Sequence, residues 1–157
     1  MSLKTTPPSP PFTRQLHVRW GDLDVNAHMR NTAYLDMAAD VRMMFFAEHG
    51  FTLRDFERRR VGPVILRDEV DYHRELKLHE VVTVDLVAAG MSEDGSRFRL
   101  RSHFVRADGK ASARVTSTGG WLDLDARKLA EPPEDLRRAL LSIPQSTDFE
   151  ILPDSTR

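Results

Sequence analysis

The chain of 157 residues contains no cysteine. That excludes disulfides, thiolate nucleophiles and thiolate metal ligands together, so any nucleophile must be an oxygen or an activated water. There is also no surplus of charge: 23 Lys and Arg against 24 Asp and Glu leave a formal charge of −1 and a sequence pI near 6.6. Without a basic field, neither nucleic acid nor an anionic membrane is expected as a partner. No apolar run approaches the roughly 18 residues of a membrane span, and no basic-then-apolar leader is seen, so a cytoplasmic location is expected. His17, His28, His49, His73, His79 and His103 show no H-E-x-x-H spacing. Asp22-x-Asp24-x-Asn26 imitates the start of a calcium loop but has Ala27 at its sixth position and Ala33 at its twelfth. No metal is expected. The absence of a G-x-S-x-G elbow, a phosphate loop and a G-x-G-x-x-G fingerprint removes serine hydrolases, nucleoside triphosphatases and dinucleotide enzymes.

What is present is a 40% hydrophobic, 30% charged composition, suited to one domain with an ordinary core. Residues 1–12 hold Pro7, Pro8, Pro10 and Pro11 and are expected to form a flexible proline-rich arm. From Thr13 to Trp20, Leu16, Val18 and Trp20 alternate with polar residues, the period of a half-buried strand. A helix is predicted over Asn31–His49, where Tyr34, Met37, Ala38, Val41 and Phe45 recur at helical spacing and Gly50 follows as a stop. Thr52 and Asp55 predict the cap of a second, short helix. Beyond Pro63 the pattern is β, with Asp94-Gly95 and Asp108-Gly109 placed as hairpin turns, and the strands read as an antiparallel meander. Leu136, Ala139, Leu140 and Ile143 predict a short amphipathic helix. The expected organisation is thus one domain over residues 13–143 and a loosely held tail over 144–157.

The chemistry concentrates in Trp20–Leu35, where two carboxylates, an amide and an imidazole crowd a turn ahead of the long helix. Asp22 reads as a cap. Asp24 alternates with Asn26 and His28, and the following helix N-terminus offers backbone N–H groups and the positive end of its dipole. Those amides suit a developing oxyanion, and Asp24 could act as general base or as nucleophile.

This stretch resembles the signature of hot-dog-fold acyl thioesterases, D-x-D-x-x-x-H-[VM]-N-N-x-x-Y, shared by bacterial acyl-CoA thioesterases and plant acyl-carrier-protein thioesterases. Asp22, Asp24, His28, Met29, Asn31 and Tyr34 fit it, and Asn26 fits the plant-type D-V-N-x-H variant. The resemblance implies an α+β hot-dog fold, a long central helix wrapped by a curved antiparallel sheet. It implies Asp24 as the catalytic carboxylate, with Asn26 and His28 orienting it or the substrate. Tyr72-His73-Arg74-Glu75 is similar to the plant-type Y-R-R-E run and nominates Glu75 as a second acid or base. Arg30 stands where the family usually has Asn, and Ala27 where many members have Gly. Arg30, Asn31 and Tyr34 are accordingly substrate-binding candidates. Arg58-Arg59-Arg60 is a candidate cluster for the coenzyme A phosphates, against a competing reading as a solvated helix end.

The function implied is hydrolysis of an acyl-CoA or acyl-ACP thioester to a carboxylic acid and free thiol, in fatty acid metabolism. No cofactor is needed, coenzyme A being part of the substrate. Self-association as a dimer or tetramer is implied too, since a hot-dog sheet leaves an edge that pairing covers. Two alternatives remain: a hot-dog enoyl-CoA hydratase, whose D-x-N-P-x-H motif fits less well, and a non-catalytic acyl-CoA-binding protein.

Overall fold

The structure is a computed structural model that describes residues 11–155. Its strands are β1 (Phe12–His17), β2 (Val61–Tyr72), β3 (Val81–Ser92), β4 (Arg97–Arg106), β5 (Ala111–Asp123), β6 (Lys128–Leu129) and β7 (Gln145–Leu152). Its helices are α1 (Ala33–Glu48), α2 (Leu53–Arg59) and α3 (Glu134–Leu141), with a 3-10 turn at Trp20–Asp22. The sheet order is β1-β3-β4-β5-β2, with β6 on β5 and β7 on β3. This is the hot-dog arrangement, its long helix packed against a mostly antiparallel sheet.

The helix forms where the three-to-four-residue spacing predicts it, and Ala33, Tyr34, Met37, Ala38, Val41, Phe45 and Phe46 are buried. So wide a stripe is what a helix enclosed by a curved sheet needs. It starts at Ala33 because Asn31 and Thr32 are still in the preceding turn. Trp121 of β5 anchors the far end of the core, edge-on to Phe46 at 5.5 Å and 5.3 Å from Phe98. Thr52 and Asp55 form the expected reciprocal cap of α2.

The meander holds only for β3–β4–β5, turning at Gly95 (φ +76°) and Gly109 (φ +81°). Instead of lying beside β3, β2 crosses over to pair antiparallel with β5. Strand order is set by long-range packing, which local periodicity does not encode. The tail expected to be loose holds β7, parallel to β3 from Ala88 to Ser92, where β1 has ended. Its acidic residues face basic ones: Asp148 pairs with Arg101 at 2.9 Å and Glu150 with Arg99 at 3.0 Å. Of the expected arm, Phe12 belongs to β1 and packs edge-on to Phe45 at 5.2 Å, while residues 1–10 lie outside the described residues.

A β-bulge interrupts β2 between Ile65 and Arg67, opposite Gly119 and Thr118 of β5. There the two backbones close in, and a Cβ on Gly119 would stand 2.0 Å from the Val64 carbonyl oxygen.

Candidate active site

The acidic turn is a closed loop. Asp24 N–H donates to the His28 carbonyl at 2.9 Å, Ala27 N–H to the Asp24 carbonyl at 3.1 Å and Arg30 N–H to the Asp22 carbonyl at 2.7 Å. Inside it, Asp24 Oδ1 accepts the backbone N–H of Asn26 at 2.8 Å and, more loosely, that of His28 at 3.4 Å. One carboxylate oxygen is thereby fixed, while Oδ2 accepts no hydrogen bond among the described residues. Closing so tight a loop puts Ala27 at φ +58°. For an L-residue that conformation costs about 1–2 kcal/mol. Replacing it with glycine removes this strain but gives back roughly 0.5–1 kcal/mol of unfolded-state freedom. We therefore expect Ala27→Gly to leave stability unchanged or raise it by up to about 1 kcal/mol in denaturant unfolding. A loss of stability, the usual result of Ala→Gly, would contradict this account of the loop.

Asp22 has the structural role expected of it. Its buried carboxylate accepts Arg19 N–H at 2.9 Å and is gripped by the Arg19 guanidinium at 3.1 Å. Those hydrogen bonds hold its carboxyl below the usual range despite burial.

The loop is tied to the segment after β2 by Met29 N–H donating to the Leu76 carbonyl at 2.8 Å, and by a β-bridge between His28 and Lys77. The start of β5 anchors the same segment, Ser112 Oγ donating to the Arg74 carbonyl at 2.7 Å. These ties bring two distant parts of the chain around one open cavity of about 310 Å³, lined by Asp24, His28, Met29, Asn31, Tyr34, Tyr72, His73, Arg74 and Glu75. The Glu75 carboxyl is held below its usual range, first by its own backbone N–H and then by the charge of His28. Burial pushes the Tyr34 phenol above its usual value, so it stays protonated. Tyr72 Oη donates to the Asn31 carbonyl at 2.8 Å and its ring meets Tyr34 edge-on at 5.3 Å. Thr32, the N-cap of α1, makes no side-chain cap. The backbone N–H groups of Asn31, Thr32 and Tyr34 find no acceptor among the described residues.

Five of the expected residues, Asp24, His28, Glu75, Asn31 and Tyr34, therefore share one cavity. Asn26 does not line it; its backbone orients Asp24 instead. Arg30 is turned aside, donating to the Gly21 carbonyl and to Thr32 Oγ1, with Asp36 at 3.4 Å. Arg58, Arg59 and Arg60 are paired with Asp55, Asp135 and Asp125. Arg59 and Arg60 border a separate cavity of about 370 Å³ that shares no residue with the first. The expected phosphate cluster thus does not adjoin the Asp24 cavity, because α2 follows the far end of α1. Tyr72, His73 and Arg74 were legible as part of the Y-R-R-E-like run but not as cavity residues.

The profile of the thioesterase-like superfamily matches residues 18–140. No curated protein matches the sequence. Among solved structures, a hypothetical protein from Staphylococcus aureus, characterised in complex with CoA, is 23% identical with a TM-score of 0.79, covering 98% of this chain and 96% of its own. A 1,4-dihydroxy-2-naphthoyl-CoA thioesterase from Synechocystis is 16% identical with a TM-score of 0.75, covering 83% and 96%. A putative thioesterase from Pseudomonas aeruginosa is 23% identical with a TM-score of 0.72, covering 83% and 99%.

Proposed function

Because the chain belongs to the thioesterase-like superfamily, a group of thioester hydrolases, we propose that it hydrolyses acyl-CoA thioesters with Asp24 as general base. The observation that carries this reading is the Asp24 carboxylate itself, held by one oxygen with the other free at a cavity bordered by uncapped helix amides. A thioester carbonyl placed against the N–H groups of Asn31, Thr32 or Tyr34 would meet donors where its oxyanion develops. Asp24 Oδ2 takes a proton from water as the water oxygen bonds to the carbonyl carbon. The tetrahedral adduct then collapses, the C–S bond breaks, and the thiolate recovers the proton from Asp24, giving acid and free thiol. His28 and Glu75 flank the cavity and orient water or substrate. Direct attack by Asp24, giving a mixed anhydride, is the competing route. Oxygen-18 from labelled water appearing in the Asp24 carboxylate would require this route, with water attacking the Asp24 side of the anhydride, whereas base catalysis places the label only in the product acid.

The test is a thiol-release screen against acyl-CoAs of graded length, aromatic acyl-CoAs and one acyl-ACP. Thiol release from no thioester would end the hydrolase reading. The substrates do not require a membrane, and no helix among the described residues is long and apolar enough to cross one.

Self-association belongs to the same reading. Among the described residues the outer edge of β2 is unpaired along Val61–Tyr72, and it carries the exposed apolar residues Leu66 and Tyr72. Tyr72 also lines the open cavity, so a second copy paired along β2 would cover its mouth. Light scattering at micromolar concentration should therefore give at least twice the 17.9 kDa chain mass, and a monomer mass would remove this part of the reading.

A further inference from the structure

Of the three residues whose backbone N–H groups find no acceptor among the described residues, Asn31 and Tyr34 line the cavity and Thr32 does not. The Tyr34 amide lies within α1, where the helix fixes its direction. Asn31 precedes the helix in an exposed turn, and a peptide unit there keeps one direction only if its neighbours are held. Both sides of Asn31 are held. Before it, the Arg30 carbonyl accepts the Ala33 N–H at 3.0 Å. That peptide is trans, so its N–H points opposite to its C=O, and the Asn31 N–H is directed away from Ala33. After it, the Asn31 carbonyl accepts the Tyr72 hydroxyl at 2.8 Å.

Tyr72 is itself well anchored. It is the last residue of β2, in register with Ala113 of β5. Its ring meets Tyr34 edge-on at 5.3 Å, and the buried Tyr34 meets the buried Phe104 of β4 edge-on at 5.3 Å. Three rings from β2, α1 and β4 thus fix where the hydroxyl stands. Burial raises the Tyr72 phenol above its usual value, so at neutral pH it is protonated and able to donate. The acidic loop and the segment after β2 are joined by backbone at Met29 with Leu76 and at His28 with Lys77. Tyr72 adds a tie made by a side chain, and it grips the cavity-lining amide that no helix holds.

We propose that Tyr72 is a positioning residue, its hydroxyl holding the Asn31 carbonyl so that the Asn31 amide keeps the direction in which it receives the developing oxyanion. This rests on the hydrolase reading above. The hydroxyl gives its one proton to the Asn31 carbonyl and touches no reacting atom. Without it that exposed carbonyl turns to water, so folding loses little. The amide loses its aim, and an oxyanion donor stabilises the transition state only when held where the charge develops.

The experiment compares the full chain with its Tyr72→Phe variant, which keeps the ring against Tyr34 and deletes only the hydroxyl. With octanoyl-CoA and benzoyl-CoA the variant should lose roughly tenfold to a hundredfold in kcat, short of the roughly 10²–10³-fold cost of removing an oxyanion donor outright, while KM stays within about twofold. A second readout does not need turnover. In the Asp24→Asn background, infrared difference spectra of the same two thioesters, carrying carbon-13 at the thioester carbonyl, report how strongly that carbonyl is polarised. Its stretch should fall in frequency on binding, and adding Tyr72→Phe should return it toward the free value at unchanged affinity. A tie that serves folding alone would lower the unfolding midpoint and leave this shift untouched. Unchanged kcat and carbonyl shift in Tyr72→Phe overturn the inference and leave the hydrolase. A fall in kcat with the shift intact overturns it, as does a raised KM at unaltered kcat, which would put the hydroxyl on the substrate. A shift abolished by Tyr72→Phe without thiol release by the wild type removes the hydrolase and leaves the positioning role. If neither thioester binds, the inference falls, and the hydrolase reading rests on the wider screen.

Discussion

Asp24→Asn should lower kcat for thioester hydrolysis by roughly 10²–10⁴-fold while KM changes little. The amide keeps an oxygen that can accept the Asn26 N–H, now at 2.8 Å, so the loop retains its shape. What disappears is the basicity of the free oxygen, needed only as water attacks, and a group needed only in the transition state shows in kcat rather than in ground-state binding. Steady-state kinetics with free-thiol detection checks this. His28→Ala and Glu75→Gln should cost less, because they flank the cavity without holding the free oxygen. The assay also separates other chemistries on this fold. A hydratase consumes enoyl absorbance and releases no thiol, and a binding protein does neither. Asp24→Asn turning over at the wild-type rate would remove Asp24 from the chemistry.

Gly119→Ala should destabilise the fold by roughly 3 kcal/mol, toward the top of the range for overpacking. The added methyl would sit 2.0 Å from the Val64 carbonyl oxygen, a backbone atom with no rotamer to yield. Relief requires parting β2 from β5 at the bulge, which breaks ladder hydrogen bonds and shifts Asp68 against Ser117 just beyond it. Denaturant unfolding monitored by circular dichroism checks the size. A loss under about 1 kcal/mol would mean that the close approach is not rigid.

Much of this architecture was legible from local pattern. The stripe from Tyr34 to Phe45 marked the central helix, and the Asp-Gly pairs marked the two hairpins. The acidic turn was legible because its residues are contiguous, so one stretch of chain carries both the motif and the geometry. Glu75 is brought to the cavity by a bridge between His28 and Lys77 that no local signal announces. The basic run Arg58–Arg60 shows the opposite limit. Proximity of like charges in sequence says nothing of their partners, and here each arginine is held by an aspartate, two of them far along the chain. The crossover of β2 to β5 and the pairing of β7 with β3 are non-local, as is the contact of Arg42 with Ser117, 75 positions apart.

The strand β3 is long enough to need two separate neighbours on one side, and the chain supplies them from its opposite ends: β1 covers Val81–Leu86 and β7 covers Ala88 to Ser92. Protection of that border therefore depends on the strand synthesised after all the other described strands of the sheet. Until β7 docks, the run Ala88-Ala89-Gly90-Met91-Ser92 presents bare amides on an apolar, uncharged strand, a template for another unfinished chain. A chain ending at Pro144 keeps that exposure permanently and should aggregate, visible as turbidity on refolding at concentrations where the full chain stays clear. Asp148 and Glu150, bound to Arg101 and Arg99, make the docked β7 a poor template in its turn, since two acidic side chains on a border strand discourage a further strand from adding.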